Sequence, residues 1–414
     1  MSDLLTKRET CRLCGGTSLS QVLHLEPTPP ANAFVNAQER MTEQAVFPLD
    51  VYFCGACHHV QLLDIVNPVI LFENYVYVSG TSPSFVRHFE AYSSVLIEQY
   101  AFAQGSLVVE IGSNDGTMLE MFQRRGLKVL GIDPAKKIAA EANAKGIPTW
   151  IGFFDQSVVN EVIQTHSKAS LVVANNVFAH ADNLKQIAQS IKNLLTDDGV
   201  FVFEVSYLLD VLDNTLFDTI YHEHLSYHSV APLRRFFSSL GLELFRLERI
   251  STHGGSIRCH VQKSGGPRQS DGSVEQAISE ECARGLDDAQ TFIRFEADID
   301  RKRTELMALL HDLKKKGKTI AGYGAPAKAT TLCHHFKLGA DVLDYIIDDS
   351  PLKQNLYSPG YHIPVVSSAV LSDSPPDYLI ILAWNFAEPI MNNQKNFTSN
   401  GGHFIVPLPE IKVY

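Results

Sequence analysis

Four cysteines near the N-terminus have the spacing of two metal-binding knuckles. Cys11 and Cys14 enclose two residues in CRLC, and Cys54 and Cys57 do the same in CGAC. Thiolates from two such pairs can surround a metal ion in a tetrahedron, which is the geometry of structural zinc. The chain has seven cysteines, and an odd number fits a disulfide framework poorly. We therefore predict a structural zinc ion held by these four thiolates, with a redox pair beside a chance pair as the alternative.

A glycine-rich turn after an apolar, β-branched run indicates a site for a nucleoside-containing cofactor. The run VVEIGSNDG contains Glu110, Gly112 and Asn114, and Asp133 ends the next predicted strand. The dinucleotide fingerprint needs a glycine where Asn114 stands, so a pyrophosphate is not the expected ligand. A carboxylate at Asp133 can accept hydrogen bonds from a ribose diol. The E-x-G-x-x-x-G pattern is typical of class I methyltransferases, which bind S-adenosylmethionine; a plain strand–helix turn with a capping aspartate is the alternative.

Three histidines in one short segment, TIYHEHLSYHS, could perform proton transfer. They are His222, His224 and His228. An imidazole accepts or gives a proton near neutral pH, and a tyrosine such as Tyr221 can donate to a developing oxyanion. Glu223 can orient an imidazole and fix its tautomer. A metal site or a solvated polar helix face is the alternative, although the H-E-x-x-H spacing is absent.

A second glycine-rich turn, IAGYGAPAKATT, satisfies the looser fingerprint G-x-G-x-x-A at Gly322, Gly324 and Ala327. Lys328 follows in the first turn of the predicted helix. Backbone N–H groups, a helix N-terminus and a lysine together favour a phosphate group. A nicotinamide dinucleotide and a nucleotide diphosphate both fit, and Lys328 favours a sugar nucleotide.

Strand and helix patterns alternate from Ser106 onwards, which predicts an α/β fold with a doubly wound sheet. Ligands of such sheets bind beyond the carboxyl ends of the strands. His180 follows the predicted strand LVVANN and would reach that edge, where a single histidine is as often structural as catalytic. Arg258 follows another apolar run, in THGGSIR. The candidate cofactor-binding residues are Glu110, Gly112, Asn114, Asp133, Pro134, Asn175 and Asn176.

The length of 414 residues allows two or three domains. We expect a zinc-binding domain over residues 1–69, a methyltransferase domain over 70–282 and a Rossmann-like domain over 283–414. A long helix at about 287–316 would lead into the last domain. The net charge of −11 argues against a general nucleic-acid binder. No apolar run approaches the ~20 residues of a membrane span, and we expect a cytoplasmic protein without a membrane partner.

The motifs occur in an order that is similar to a known family. They are CRLC, CGAC, ENYVYVSGTS, VVEIGSNDGT, IYHEHLSYHS, HGGSIR, GYGAPAKATTL, DDSPLKQ, SPGYHIPV and ILAWNF. From Cys11 to about Ile390, the chain closely resembles the three-domain sugar C-methyltransferases of deoxysugar biosynthesis. The resemblance implies a zinc-bearing N-terminal domain, an S-adenosylmethionine domain and a C-terminal Rossmann-like domain. It also implies a nucleotide-linked (dTDP or GDP) 4-keto-6-deoxysugar as substrate, with methylation at C3.

The resemblance further suggests a role for each residue of the histidine-rich segment. His224 would be the general base that removes the C3 proton. Tyr221 and His180 would hold the C4 oxyanion, and Glu223 would position His224 or bind a sugar hydroxyl. Tyr75, in the loop before the methyltransferase domain, would close over the sugar.

Several assignments stay open at this point. His222 and His228 are rival bases to His224. The candidate substrate-binding residues are Ser79, Thr81, Arg258, Gly324 and Lys328. Two other functions are compatible with the sequence: an NAD(P)-dependent sugar-nucleotide oxidoreductase that uses the second glycine-rich turn, and a non-catalytic scaffold that keeps the zinc domain.

Overall fold

The computed structural model describes residues 4–72, 78–81 and 83–414. Its N-terminal part is built around the cysteine cluster and consists of antiparallel strands followed by a short helix. These elements are β1 (Leu5–Lys7), β2 (Leu19–Thr28), β3 (Phe47–Cys54), β4 (Val60–Leu62), β5 (Asp64–Val66) and α1 (Pro68–Phe72). β1 pairs with β5, and β2, β3 and β4 form an antiparallel sheet. Alternate residues of β3 are fully buried, as expected for a strand with one face on a core.

The central part contains a long helix and then alternating strands and helices. The elements are α2 (Pro83–Tyr100), β6 (Leu107–Ile111), α3 (Thr117–Gln123), β7 (Lys128–Asp133), α4 (Lys136–Ala144), β8 (Thr149–Ile151), α5 (Gln156–Thr165), β9 (Ala169–Asn175), α6 (Leu184–Leu194), β10 (Leu195–Ser206), α7 (Leu208–Asp213), β11 (Ser226–Tyr227), α8 (Val230–Ser239), β12 (Leu242–Ile250), β13 (Ser256–Lys263) and α9 (Ser273–Ala283). The sheet order is β12-β13-β10-β9-β6-β7-β8. β13 runs antiparallel to both of its neighbours, whereas the strands from β10 to β8 are parallel.

Helices cover both faces of this central sheet. Along β9, Leu171 and Val173 enter a core shared with α2 and α3. Val172 and Ala174 enter a second core shared with α5 and α6. A strand that is apolar on both sides belongs to a sheet buried on both faces. The doubly wound α/β fold predicted from the sequence is therefore confirmed.

The C-terminal part is a second, smaller parallel sheet reached through a long helix. The elements are α10 (Ala289–Lys315), β14 (Ile320–Tyr323), α11 (Ala327–Phe336), β15 (Ile346–Ile347), β16 (Val365–Val366), α12 (Val370–Asp373), β17 (Tyr378–Ile381), α13 (Ala387–Asn393), α14 (Lys395–Ser399), β18 (His403–Val406) and β19 (Lys412–Val413). The order β16-β15-β14-β17-β18-β19 is Rossmann-like, with β19 antiparallel at the edge. The helix expected at 287–316 is α10. Leu310 is fully buried on it, whereas Leu309 is only partly buried.

The histidine-rich segment lies where the three parts of the chain meet. It leaves the central sheet after α7, forms a 3-10 turn at Phe217–Thr219 and continues as β11. β11 pairs with β4, so a piece of the central part completes the N-terminal sheet. On the other side, the Thr331 hydroxyl of α11 donates to the Ile220 carbonyl at 2.7 Å. Residues from all three parts therefore determine the conformation of this segment.

Candidate active site

The four N-terminal cysteine sulfurs form one compact cluster. All four Sγ atoms lie within 4.8 Å of one another. The Sγ atoms of Cys11 and Cys57 are 3.6 Å apart, and those of Cys14 and Cys54 are also 3.6 Å apart. Sulfurs about 2.3 Å from a zinc ion in a tetrahedron lie about 3.8 Å from each other. The donor set therefore fits zinc, and all four ligands are protein atoms, as in a structural site.

The first glycine-rich turn is fixed by the carboxylate that ends the next strand. Asp133 accepts the backbone N–H groups of Asn114 and Ala135, each at 2.8 Å. Burial raises the pKa of Asp133, and Pro134 beside it is half-buried. The carboxylate lies at the carboxyl edge of β7, where it was expected. Each of its oxygens can accept a further hydrogen bond, as ribose recognition requires.

The absence of a side chain at Gly112 allows close packing at the end of β6. The φ of Gly112 is +69°, and a Cβ built there would lie 2.4 Å from Val177 Cγ2. The glycine was expected to let a ligand approach the backbone, and that stays a prediction. The structure adds a packing role, because the glycine lets the turn after β6 lie against the segment after β9. A side chain at Gly112 would therefore force these two segments apart.

Glu110 and Asn175 present unsatisfied polar atoms at the ends of β6 and β9. Asn175 Nδ2 donates to Glu110 Oε1 at 3.1 Å. Burial raises the pKa of Glu110 to about 8. Among the described residues, Glu110 Oε2 and Asn175 Oδ1 are buried without a hydrogen-bond partner. The sheet order reverses between these strands, which is where doubly wound sheets bind ligands. These atoms fit the polar groups of S-adenosylmethionine.

Two further candidates lie beside this cofactor edge. Asn176 donates its backbone N–H to the Glu204 carbonyl, and its side chain lies 3.2 Å from His253 Nε2. Ser79 donates its backbone N–H to Asn114 Oδ1 at 2.9 Å. The structure thus brings Ser79, expected at the sugar, onto the glycine-rich turn. Tyr75 and the side chain of Thr81 lie outside the described residues.

His224 is oriented by a backbone carbonyl and packed between two other candidates. Its Nδ1 atom lies 2.7 Å from the Thr219 carbonyl oxygen. Because a carbonyl can only accept, Nδ1 bears the proton and Nε2 is an acceptor. The His224 ring centroid lies 5.0 Å from that of His180 and 4.1 Å from that of Tyr221. The three candidates are therefore in contact, although His180 comes from a separate segment.

Burial keeps both histidines of this pair neutral. Burial lowers the pKa of His224 to about 4, and it lowers the pKa of His180 well below its usual range. The pKa of His224 therefore lies below the near-neutral value of an ordinary histidine. In the described part of the chain, His180 Nε2 is buried and has no hydrogen-bond partner. The small cavity beside the pair is lined by Asn176, Ala179, His180, Val205, Ser206, Thr219, His224, Ser226 and Tyr227.

The two alternative bases, His222 and His228, make their contacts away from His180 and His224. His222 Nε2 lies 3.2 Å from the Phe47 carbonyl oxygen, and its ring packs edge-on against the Phe47 ring. His228 is fully buried; its ring stacks on that of His59 and packs at a tilt against that of Phe178. The structure therefore does not bring His222 or His228 into the pair formed by His180 and His224.

Glu223 has a partner that the sequence did not indicate. It is buried, and Asn32 Nδ2 donates to its Oε1 atom at 3.0 Å. Asn32 lies in the loop between β2 and β3, in the sequence PPANAF. That loop has no recognisable catalytic pattern, so only the folded arrangement reveals its contact with the histidine-rich segment.

The second glycine-rich turn repeats the geometry of the first. Gly324 has a φ of +88°, and a Cβ there would lie 2.6 Å from Ala383 Cβ. Asp348 accepts the backbone N–H of Ala325 at 2.7 Å and that of Ser350 at 2.9 Å. Asp133 makes the same pair of contacts in the central sheet. The two parallel sheets therefore use the same carboxylate-braced turn.

Lys328 is buried against protein groups instead of being open for a phosphate. Its Nζ atom lies 3.6 Å from Asp218 Oδ2 and 4.3 Å from the Trp384 ring centroid. Trp384 Nε1 donates to the same Asp218 oxygen at 2.6 Å. Burial lowers the pKa of Lys328 and raises that of Asp218. Asp218 directly precedes Thr219, so this pair joins the C-terminal part to the histidine-rich segment.

Arg258 also has protein partners. Its Nη2 atom lies 2.6 Å from Glu204 Oε1, and its guanidinium carbon lies 3.5 Å from the Tyr92 ring centroid. The side chain is only 7 % exposed, because α2 covers it. The expected contact between Arg258 and substrate therefore receives no support from this geometry.

The sheet order and the braced turn define an S-adenosylmethionine-dependent methyltransferase fold. Three family models match the chain in succession: the zinc-binding domain at residues 11–72, the methyltransferase domain at 86–247 and the C-methyltransferase C-terminal domain at 251–409. C-methyltransferase NovU of Streptomyces niveus is 35% identical over 413 residues, which cover 100% of this chain and 98% of that protein. The chain therefore belongs to the C-methyltransferase family.

Solved structures resemble the central part. Magnesium protoporphyrin IX methyltransferase (ChlM) of Synechocystis PCC 6803 with bound SAH is 18% identical; the match covers 43% of this chain and 83% of that one, with a TM-score of 0.34. An S-adenosylmethionine-dependent methyltransferase of Clostridium acetobutylicum ATCC 824 is 13% identical; the match covers 44% and 92%, with a TM-score of 0.36.

The chain is an S-adenosylmethionine-dependent C-methyltransferase with a zinc-binding N-terminal region. The family match favours this function over an NAD(P)-dependent oxidoreductase or a non-catalytic scaffold. The C-terminal family match starts at residue 251, before β13, although β13 belongs to the central sheet. In the described part of the chain, no helix combines the length and apolar composition needed to cross a bilayer.

Proposed function

We propose that this enzyme methylates C3 of a nucleotide-linked 4-keto-6-deoxysugar through an enolate. The observation that supports the proposal best is the contact of His224 with the Thr219 carbonyl, because it makes Nε2 the acceptor nitrogen of a ring that packs against His180 and Tyr221. A carbon acid beside a ketone needs one base and one oxyanion donor in close proximity. These three side chains supply both.

The proton moves from C3 of the sugar to His224 Nε2. The Thr219 carbonyl then stabilises the imidazolium through the Nδ1–H group. Tyr221 and His180 donate to the C4 oxygen as negative charge develops there. A conjugate acid with a pKa near 4 makes the free imidazole a weak base, so these donors must lower the energy of the enolate.

When bound, S-adenosylmethionine supplies an electrophilic methyl group. The electron pair of the enolate would form the new bond at C3 as the bond between the methyl carbon and the donor sulfur breaks, so that S-adenosylhomocysteine leaves and the C4 carbonyl is restored. Glu110, Asp133 and Asn175 hold the donor, and Glu223 and Tyr75 bind or cover the sugar.

The nucleotide carrier, dTDP or GDP, is assigned to the C-terminal part. The glycine-rich turn after β14 and the N-terminus of α11 are suited to a diphosphate. The similarity of the motifs to deoxysugar C-methyltransferases supports this substrate class. A direct contact of Gly324 or Lys328 with the diphosphate stays a prediction.

The test uses donor labelled with ¹³C in its methyl group and 4-keto-6-deoxyhexoses linked to dTDP or to GDP. We expect the label to appear in one of the two sugars, with NMR correlations from the methyl protons to C3 and to the C4 carbonyl. A reaction without donor is the control. Label on an oxygen atom, or no transfer to either sugar nucleotide, would contradict the proposal.

A further inference from the structure

Arg12 lies between two of the zinc ligands and extends towards the catalytic histidines. Its side chain has no solvent exposure, and its Nε atom lies 3.1 Å from Asp182 Oδ1. Nη1 donates to Gln61 Oε1 at 3.2 Å and also contacts the Leu62 carbonyl. Asp182 follows His180 by two residues in the sequence. The zinc knuckle is therefore in direct contact with the segment that contains His180.

The same guanidinium reaches the segment that contains His224. Arg12 Nη1 lies 3.4 Å from the carbonyl oxygen of Leu225, the residue after His224. The Leu225 N–H donates to the Ala179 carbonyl at 2.9 Å, and the Ser226 N–H does so at 3.1 Å. Ala179 directly precedes His180. The backbones beside the two histidines are thus bonded to each other, and Arg12 contacts both segments.

We propose that Arg12 is a positioning residue for proton transfer, which fixes His180 and His224 relative to each other. This inference rests on the proposed function of that pair. A guanidinium has five N–H donors in a rigid fork. In Arg12, Nη1 faces the Leu62 and Leu225 carbonyls, while Nε lies beside the Asp182 carboxylate in an ion pair without a hydrogen bond. A lysine at this position has a single ammonium nitrogen, which cannot contact the carboxylate and the carbonyls together. The thiolates of Cys11 and Cys14 fix the backbone of Arg12 when they hold zinc.

Three variants test the role of Arg12. Arg12→Lys keeps the charge but loses the fork, and Asp182→Asn removes the charged partner at a half-exposed position. Lys7→Gln is the matched control, because Lys7 pairs with Asp64 in the same part of the chain and has an exposed side chain. For each variant, deuterium exchange at C3 of the keto sugar in D₂O is measured together with donor affinity and zinc content.

We expect Arg12→Lys to slow C3 exchange about 10- to 100-fold, the usual effect of displacing a catalytic group by about 1 Å. Asp182→Asn should slow it less, since the carbonyl contacts remain. Donor affinity and zinc content should stay unchanged in both, and Lys7→Gln should exchange at the wild-type rate. Wild-type exchange in both test variants would overturn the proposal, and so would a loss that only follows lost donor binding. If Arg12→Lys loses zinc, Asp182→Asn decides, with Arg8→Gln as a further control that should exchange at the wild-type rate, because Arg8 Nη1 also contacts Asp182 Oδ1 at 2.9 Å.

A spectroscopic measurement separates this inference from the proposed function. In protein labelled with ¹⁵N-histidine, the His224 Nδ1 signal is identified by its loss in His224→Asn. We expect this signal to shift in Arg12→Lys and Asp182→Asn, but not in Lys7→Gln. If the wild type shows no C3 exchange, the proposed function fails and this signal alone decides the role of Arg12. An unchanged signal in both test variants would then overturn it.

Discussion

The Nδ1 atom of His224 donates a hydrogen bond to the carbonyl oxygen of Thr219 at 2.7 Å, within one short loop. This contact sets both the tautomer and the direction of the imidazole, because the opposite nitrogen must then face away from the backbone. His222 has a comparable contact, with the Phe47 carbonyl, but its ring lies against the N-terminal sheet. The two histidines therefore differ in their surroundings and in the ring nitrogen that donates to the carbonyl, which is Nδ1 in His224 and Nε2 in His222.

We predict that the buried histidines lower stability in acid. Burial lowers the pKa of His222 to about 4, whereas a histidine in the unfolded chain titrates near 6.5. Between these values the unfolded state binds a proton that the folded state does not, so the free energy of unfolding decreases as the pH falls. Urea denaturation of wild type and His222→Gln at about pH 7 and about pH 5 measures this effect.

Wild type must be compared with His222→Gln because Glu110 has the opposite effect on the pH dependence of stability. Burial raises its pKa to about 8, so the folded state gains stability as the pH falls below that value. The His222→Gln variant keeps Glu110 and can still donate to the Phe47 carbonyl. We expect it to lose less stability than wild type on acidification, and an equal or larger loss would refute this prediction.

We predict that Asp133 is required for donor binding and that its counterpart Asp348 is not. Asp133→Asn should weaken S-adenosylmethionine binding by about 1–3 kcal/mol, the range for a hydrogen bond to a charged group. Asp348→Asn is the matched control, because Asp348 braces the second turn in the same way. Calorimetric titration measures both. Equal effects, or none from Asp133→Asn, would mean that the donor site is wrongly assigned.

Zinc should be essential for the N-terminal region. Cys54→Ser removes one of four clustered thiolates, so we expect loss of zinc in chelator and a lower melting temperature, because metal binding contributes folding free energy. Cys282→Ser, at an exposed cysteine outside the cluster, should keep the wild-type metal content. Mass spectrometry measures the zinc content of the wild type and of both variants. Wild-type protein purified without chelator and free of zinc would disprove the assignment.

Lys328 provides a test of whether a buried cation serves stability or substrate binding. Removing it leaves the Asp218 carboxylate buried without a cation, which typically costs about 3–5 kcal/mol. We therefore expect Lys328→Met to be destabilised and Lys328→Met combined with Asp218→Asn to recover most of the loss in urea denaturation. A variant with unchanged stability but a raised KM for the sugar nucleotide would instead support direct binding of the diphosphate.

Local features could be predicted from the sequence. The cysteine knuckles and both glycine-rich turns depend on residues that are close in the chain, such as Cys11 and Cys14. The strand–helix alternation predicted the doubly wound sheet, and a central strand such as β9 is apolar on both faces.

Contacts between distant segments could not be predicted in this way. The sequence predicted that Lys328 is a phosphate ligand, because it does not show that Lys328 on α11 packs beside Asp218. The sequence predicted that Arg258 binds substrate, because it does not show that Glu204 lies next to the guanidinium. The choice between His222 and His224 depends on the contact of His222 with Phe47, which is 175 residues away in the sequence, and spacing within the motif contains no information about that contact.

Hydrogen exchange at C3 of the keto sugar tests the central claim most directly. The sugar nucleotide is incubated in D₂O with wild type, His224→Asn or His222→Asn, and deuterium at C3 is followed by NMR; calorimetry confirms that both ligands still bind. We predict that His224→Asn abolishes exchange and methyl transfer together, while His222→Asn retains both. Exchange that survives in His224→Asn and disappears in His222→Asn would assign the base to His222. Exchange unaffected by either change would contradict an enolate mechanism at this motif.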